Sequence, residues 1–319
     1  MYLPEGLGIY WRERDSIQLG LFSERSAVFE GLYPREVSLF NLLRSPCTPE
    51  DVSHWARSNQ VDQERARKIW DRVSATGLAV NDTLPGSMAL TEFNALTRAG
   101  AAHPTRTGTT AIEIHSTGLI GTLLALVLNQ YGFSSIYFTD PGPVTESESR
   151  WLGGASYGQP VENAVRPLLR PGSKKATQTL VVAVSSRVYA RHIARVALAN
   201  DIPFLPVVVA EADVQIGPFV TGTPCVECVE LHRQDQDEAW PVLASQGARL
   251  SILETDTASA FHAVSLVVSE ILHVINHPEL KPRLHSSILH VPPAPSWPTI
   301  EEIIPHEECG CHALLSEQQ

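Results

Sequence analysis

Two pairs of closely spaced cysteines constrain this chain more than any other feature. Cys225 and Cys228 form a Cys-x-x-Cys in the segment TPCVECVELHR, and Cys309 and Cys311 form a Cys-Gly-Cys much later in the chain. The fifth cysteine, Cys47, stands alone. Two close pairs on separate loops can supply the four thiolates of a tetrahedral zinc site. We therefore predict a structural Zn²⁺ that joins two distant parts of the chain.

Two other interpretations of these cysteines stay open. A redox Cys-x-x-Cys is expected to open a helix after a strand, whereas CVEC follows the Gly- and Pro-rich loop GPFVTGTP. The two pairs could also be unrelated surface features. His306 and His312 flank the Cys-Gly-Cys and are candidate substitute ligands, although four thiolates already complete a tetrahedron.

Length and charge limit the class of protein. The chain has 319 residues, of which 43% are hydrophobic, enough for two domains. Its net charge of -11 disfavours nucleic acid and anionic membranes as partners. The stretch MYLPEGLGIYWRERD lacks the order of a signal peptide, and no apolar run reaches about 18 residues. We expect a soluble cytoplasmic protein with reduced thiols and no membrane span.

Residues 1–84 combine short strands with helices. GIYWRE, SIQLGLF and SAVFEGL have partial alternation and indicate strands, and GLAVND is a further candidate. REVSLFNLLRS, CTPEDVSHWARSN and VDQERARKIWDRVSATG have helical spacing. Thr48 and Pro49 suit the first two positions of a helix, and Gly77 suits the end of one. This order predicts a winged-helix module.

The strand SAVFEGL has an edge that could accept an added peptide strand at Val28 and Phe29. The following helix carries Arg65, Lys68 and Arg72 at spacings that can share one side. We therefore take Val28, Phe29, Lys68 and Arg72 as candidate peptide-binding residues. A plain wing strand, a solvated helix face and a DNA-reading helix are the alternatives. Acidic residues interleave with the basic ones, which weakens the DNA interpretation.

Residues 85–108 form the predicted connection, with one helical stretch, LTEFNALTRAGAA. From residue 109 to 319 the pattern changes to alternating strands and helices. TAIEIH, an apolar helix and SSIYFTDPG make one strand-helix-strand unit, and TLVVAVSS begins another. This alternation predicts a second, α/β domain.

A loop between the first strand and helix of this domain resembles a phosphate-binding loop. It reads HSTGLIG and retains Gly118 and Gly121, and Asp140 ends the next strand, where it could hold a ribose. Such a loop is as often a packing feature of a doubly wound sheet as a binding site. A nucleotide site at Gly118, Gly121 and Asp140 is therefore only a candidate.

Together these segments resemble a known superfamily. The α/β unit, the TPCxxC and the later cysteine pair resemble the ThiF-like adenylyltransferases, which include the ubiquitin-activating enzymes. The segment LHRQDQDEAWPVLASQ resembles a divergent branch, the cyclodehydratase-associated proteins of thiazole/oxazole-modified microcin biosynthesis. The resemblance covers residues 110–319 and, more loosely, the first 80. It implies a Rossmann-type domain with a four-cysteine zinc clamp, and a winged-helix element that binds the leader of a precursor peptide.

The departures from the superfamily concern ATP. Active members have a loop close to GxGGxG, and a second acidic residue where this chain has Gly142. Only Arg150 is available where they use Asn and Arg, and Ser186 and Arg187 stand at the Asp-Asn positions of a D-x-x-D-N pattern. Phosphoryl chemistry needs metal-recruiting carboxylates. ATP is therefore not expected as a cofactor, and no YcaO domain is recognisable.

The resemblance implies a scaffold without catalytic residues that presents a precursor peptide to a YcaO-type cyclodehydratase. An active adenylyltransferase for a carboxyl-terminal glycine is the alternative, and a winged-helix DNA-binding regulator is a third. A homodimer is left open. His232, Asp235, Asp237 and Trp240 suggest a catalytic set, but spacing alone does not bring a base to a nucleophile, so we interpret them as packing and interface residues.

Overall fold

A computed structural model describes residues 1–21, 25–81, 88–101, 103–116, 118–139, 141–171 and 175–312. The chain divides into two units, residues 1–103 and 104–319. Each unit has a hydrophobic core of its own. The boundary falls inside the segment 85–108 that the sequence assigns to the connection.

The first unit opens with a three-stranded antiparallel sheet. Its strands are β1 (Ile9–Glu13), β2 (Ser16–Leu19) and β3 (Ala27–Phe29), in the spatial order β1-β2-β3. The three predicted strands are confirmed. Because β2 lies in the middle, β3 is an edge strand, and Val28 faces Gln18 across the pair.

Helices complete the first unit, and they are α1 (Pro34–Val37), α2 (Leu39–Leu42), α3 (Pro49–Ser58), α4 (Gln63–Ala75) and α5 (Leu90–Ala99). Thr48 caps α3 as predicted, since its hydroxyl accepts a hydrogen bond from the Asp51 N–H and the Asp51 carboxylate accepts one from the Thr48 N–H. Two predictions were wrong in detail. REVSLFNLLRS divides into α1 and α2, and GLAVND contributes only an isolated bridge between Tyr2 and Val80. The winged-helix assignment stays a prediction.

The second unit is a mixed α/β domain. Its strands are β4 (Thr110–His115), β5 (Ser135–Thr139), β6 (Gln178–Ser186), β7 (Phe204–Val209), β8 (Val214–Ile216), β9 (Ser287–Val291) and β10 (Thr299–Glu302). Its helices are α6 (Leu119–Gln130), α7 (Glu146–Leu152), α8 (Val161–Val165), α9 (Arg191–Ala199), α10 (Val226–Gln236), α11 (Trp240–Gly247) and α12 (Thr257–Asn276). The described strands form a seven-stranded sheet in the order β10-β9-β8-β7-β6-β4-β5.

The strand order creates a switch point beside β4. Strands β7, β6, β4 and β5 are parallel, whereas β8, β9 and β10 pair antiparallel. Because β5 and β6 lie on opposite sides of β4, the loops that follow β4 and β6 diverge at the same edge of the sheet. This edge therefore carries the loop His115–Gly121 and the residues Ser186 and Arg187.

Helix α12 is long and apolar enough, by length and composition, to cross a membrane, but half of that stretch is buried inside the protein. Ala263, Val267 and Ile271 belong to the core of the second unit. Glu270, in the middle of the helix, is buried and accepts a hydrogen bond from the Leu284 N–H at 3.0 Å. These contacts are those of a core helix.

Candidate functional site

The four cysteines of the two pairs meet in one buried cluster. Cys225 is the N-cap of α10 and Cys228 lies in its first turn, while Cys309 and Cys311 lie on the segment that follows β10. The sulfur of Cys225 lies 3.6 Å from that of Cys309, and the sulfur of Cys228 lies 3.5 Å from that of Cys311. All four sulfurs lie within 4.8 Å of one another, and all four residues are buried.

The cluster has the dimensions of a thiolate metal site. Zinc–sulfur bonds of about 2.3 Å in a tetrahedron separate the sulfurs by roughly 3.8 Å. The two measured separations lie close to this value. The predicted ligand set is therefore brought together, and the four cysteines could hold a metal such as zinc.

The close approach of the sulfurs shifts the pKa values of the thiols in opposite directions. Hydrogen bonding from Cys225 lowers the pKa of Cys228 to about 4, with a contribution from the backbone N–H of His306. The same bond raises the pKa of Cys225, and burial raises the pKa of Cys309 to about 12. Four buried thiolates would repel one another, and a divalent cation stabilises their deprotonated form.

One argument drawn from the sequence against a redox pair was wrong. Cys225 does open a helix, because it is the N-cap of α10. A four-cysteine site is supported instead by the position of Cys309 and Cys311 beside Cys225 and Cys228. A redox pair needs no second pair of sulfurs at this distance.

His306 does not act as a fifth candidate ligand. Its Nε2 donates to the Asp235 carboxylate at 2.8 Å, and its Nδ1 accepts a hydrogen bond from the Glu308 N–H. Both ring nitrogens are thus engaged away from the sulfurs. His232 donates to the carbonyl of Ile304 at 2.9 Å. These bonds tie α10 to the segment that carries Cys309 and Cys311. The side chain of His312 lies outside the described residues.

A polar network that the sequence did not predict lies on α10 and α11. The guanidinium of Arg233 lies 5.0 Å from the Tyr189 ring and 5.1 Å from the Trp240 ring. It donates to the Gln215 amide oxygen, and the Trp240 indole donates to the buried carboxylate of Glu230. Burial raises the pKa of Glu230. Trp240 thus contacts both Arg233 and Glu230, and its assignment as a packing and interface residue stays a prediction.

The loop after β4 carries the two candidate glycines. Gly118 has a φ of +117° directly before α6, a conformation that favours glycine. A Cβ added to Gly121 would lie 2.4 Å from the Ser116 hydroxyl, so close packing requires this glycine. The Ser116 hydroxyl is buried and has no hydrogen-bond partner among the described residues. Asp140, the third candidate, lies outside the described residues.

The end of β6 carries a cation. Arg187 has a φ of +65°, which is unusual for a residue with a side chain. Its guanidinium donates to the Glu211 carboxylate at 3.2 Å and to the Ser251 carbonyl at 2.7 Å. The Ser186 hydroxyl accepts from the Leu253 N–H and from Arg187.

Arg150, which stands where active superfamily members use Asn and Arg, lies on α7 and forms a surface ion pair with Glu146.

The candidate peptide-binding residues lie on β3 and α4 of the first unit. The Arg72 guanidinium donates to the Val28 carbonyl and lies 4.9 Å from the Phe29 ring. The Phe29 side chain is buried and packs against Phe40, so it is not exposed to a peptide at the edge. Lys68 is exposed and pairs with Glu64 one turn away.

Comparison of the sequence with known proteins finds no matching family model and no matching curated protein. The fold, in contrast, matches solved structures over nearly its whole length. The E. coli MccB structure with succinimide is 12% identical, with a TM-score of 0.57 over 97% of this chain and 98% of that chain. The microcin C7 biosynthetic enzyme MccB in complex with N-formylated MccA gives the same values.

A heterocyclase in complex with substrate and cofactor is 14% identical, with a TM-score of 0.61. The match covers 97% of this chain but 39% of the heterocyclase chain, so this chain spans well under half of that protein. At these identities the likeness concerns the fold. The chain therefore has the fold of MccB and of this heterocyclase.

Proposed function

We propose that this protein binds the leader of a precursor peptide and presents the peptide to a YcaO-type cyclodehydratase in azoline and azole biosynthesis. The observation that carries the proposal is the match to the heterocyclase. This chain matches that heterocyclase, which was solved with substrate and cofactor, over 97% of its own length at a TM-score of 0.61. In this proposal the YcaO-type partner supplies the cyclodehydration chemistry. The expected compartment for this protein and its partner enzyme is the cytoplasm, where thiols stay reduced.

The end of β6 supports a role without adenylation. Where active adenylyltransferases of the superfamily place a carboxylate and an amide, this chain has Ser186 and Arg187. The Arg187 guanidinium adds positive charge at that edge and is itself bound to Glu211 and Ser251. A cation at this position repels Mg²⁺ and offers it no ligand. The vestigial loop at Gly118 and Gly121 then serves packing.

The edge of β3 supports peptide binding in the first unit. The Val28 carbonyl accepts from Arg72 and so points away from β2. Within a strand the N–H and C=O of one residue point to the same side, so the Val28 N–H also faces the open edge. Strand addition would use this N–H, and the exposed cations Lys68 and Arg72 would favour acidic residues in the leader.

The metal cluster supports a structural role. Zn²⁺ at Cys225, Cys228, Cys309 and Cys311 would hold α10 against the segment after β10, and it would supply no chemistry beyond that clamp. All four ligands would be thiolates, so the coordination is complete and no position remains for a substrate.

A second candidate function is adenylation, and one observation favours it. The match to the structure of E. coli MccB with ATP covers 98% of the MccB chain, and the TM-score between the two folds is 0.56. Reconstitution separates the two functions. A YcaO-type enzyme, its precursor peptide and ATP should form azolines, seen as loss of water by mass spectrometry, only when this protein is added. Activation of a peptide carboxylate by this protein alone would favour adenylation.

A further inference from the structure

Strand β10 leaves one edge of the large sheet open. It comprises Thr299–Glu302, stands at the end of the strand order and pairs only with β9 among the described strands. All four of its residues are exposed. An edge strand presents a row of unpaired N–H and C=O groups that can pair with another chain. This edge therefore has the hydrogen-bonding capacity to accept a further strand.

Large apolar side chains are exposed along the same segment. Trp297 is 85% exposed, and Ile300 and Ile304 are each 67% exposed. Ile303, which lies between Ile300 and Ile304 in the sequence, is buried in the core that contains the four cysteines. Because side chains alternate along an extended chain, the side chains of its neighbours point to the opposite, exposed face. Natural edge strands are usually protected by lysines, prolines or bulges. Here Pro298 precedes the strand, but the strand itself contains neither lysine nor proline.

The charge of the segment is uniform. Residues 284–319 contain no Lys or Arg and five glutamates, of which four, at 301, 302, 307 and 308, lie in the described part of this stretch. All four are exposed, although Glu301 also accepts a hydrogen bond from His290 at 2.9 Å. Two copies of this edge would bring like charges together, which disfavours pairing between cross-strand neighbours. The charge thus favours a different, basic chain.

We propose that the β10 edge, residues 297–304, is the docking surface for the partner enzyme. The partner would add an extended segment in which apolar residues contact Trp297, Ile300 and Ile304, and Lys or Arg residues contact Glu302. Backbone pairing would provide affinity, and the acidic and apolar side chains would provide specificity. This inference rests on the proposed function, because the partner is the YcaO-type enzyme assigned there.

Binding between this protein and a purified YcaO-type cyclodehydratase, measured by biolayer interferometry, tests the docking surface. Ile300→Lys should raise Kd by at least about tenfold, since it places a cation against a basic partner. Glu302→Lys should raise Kd by about fivefold or more. Val196→Lys is the matched control, because Val196 is 61% exposed on α9. It should leave Kd unchanged, and each variant should retain the wild-type metal content and circular dichroism.

The outcomes separate this inference from the function on which it rests. Equal Kd values for wild type, Ile300→Lys and Glu302→Lys would overturn the docking surface and leave the partnership intact. Failure of the wild type to bind the enzyme would overturn both. Analytical ultracentrifugation of the protein alone, which measures its oligomeric state, adds a third outcome. If Ile300→Lys converts a dimer to a monomer, the edge binds a second copy, and the proposal is wrong.

Discussion

The guanidinium of Arg72 donates a hydrogen bond to the carbonyl oxygen of Val28 at 2.7 Å, and so covers part of the open edge of β3. The same guanidinium lies over the Phe29 ring. A peptide that pairs with Val28 must take this carbonyl from Arg72, and the released cation is then available to a carboxylate on the peptide. This contact leads us to expect that acidic leaders bind better than neutral ones.

Charge reversal on α4 should weaken leader binding. We expect Lys68→Glu combined with Arg72→Glu to raise Kd for the precursor peptide by about tenfold or more, since two attractive contacts become repulsive. Arg67→Glu is the control, because Arg67 is exposed and pairs with Asp71 on another side of the helix. Fluorescence anisotropy with a labelled precursor measures the effect. Equal losses for the control and the double variant would show only a general charge effect.

The purified protein should contain close to one zinc per chain. Serine at Cys225, Cys228, Cys309 or Cys311 should abolish stoichiometric zinc and lower stability strongly, since structural zinc contributes roughly 10–16 kcal/mol in small peptides. Cys47→Ser should leave zinc unchanged, because Cys47 lies in the first unit, where its thiol donates to the Met1 carbonyl. Elemental analysis after mild purification measures the metal. A metal-free protein that keeps its thermal stability would contradict the clamp.

Pyrophosphate exchange should stay at background with any peptide acid. The reason is the missing carboxylate at Ser186 and the cation at Arg187. The assay uses labelled pyrophosphate, ATP and Mg²⁺, with an active adenylyltransferase as positive control. Robust exchange that is lost in Asp140→Ala would show that the nucleotide site works, and it would favour the second candidate function.

His290 should make the stability of the second unit depend on pH. Burial alone would lower its pKa, but hydrogen bonds to Asp213 and Glu301 raise the pKa above the ordinary value of 6.5. The stabilisation is therefore complete below about pH 6.5 and is lost as pH rises through the raised folded-state pKa. We expect His290→Gln to lower Tm more at pH 6 than at pH 9. For a unit of this size, each kcal/mol of lost stability lowers Tm by roughly 2–4 °C. A Tm difference that is the same at both pH values would contradict this assignment.

Local signals in the sequence predicted the features that depend on neighbouring residues. Thr48 and Asp51 specify the start of α3 within four residues, and the spacing of the cysteines indicated that the two pairs come together. The sequence did not reveal the contacts between residues far apart in the chain, such as His306 with Asp235 or Arg233 with Tyr189. Such pairs leave no periodic pattern. Nor did helical spacing show where α1 ends and α2 begins, because apolar residues continue across the break.

Titration of the precursor peptide into the protein by calorimetry tests whether the first unit binds the leader. We expect the full chain and residues 1–103 to bind the peptide with similar affinity, and residues 104–319 not to bind it. Val28→Pro should weaken binding in the full chain, because it removes the N–H that faces the open edge of β3. Binding that is retained by residues 104–319 and absent from residues 1–103 would contradict leader binding by the first unit and would move recognition to the α/β unit.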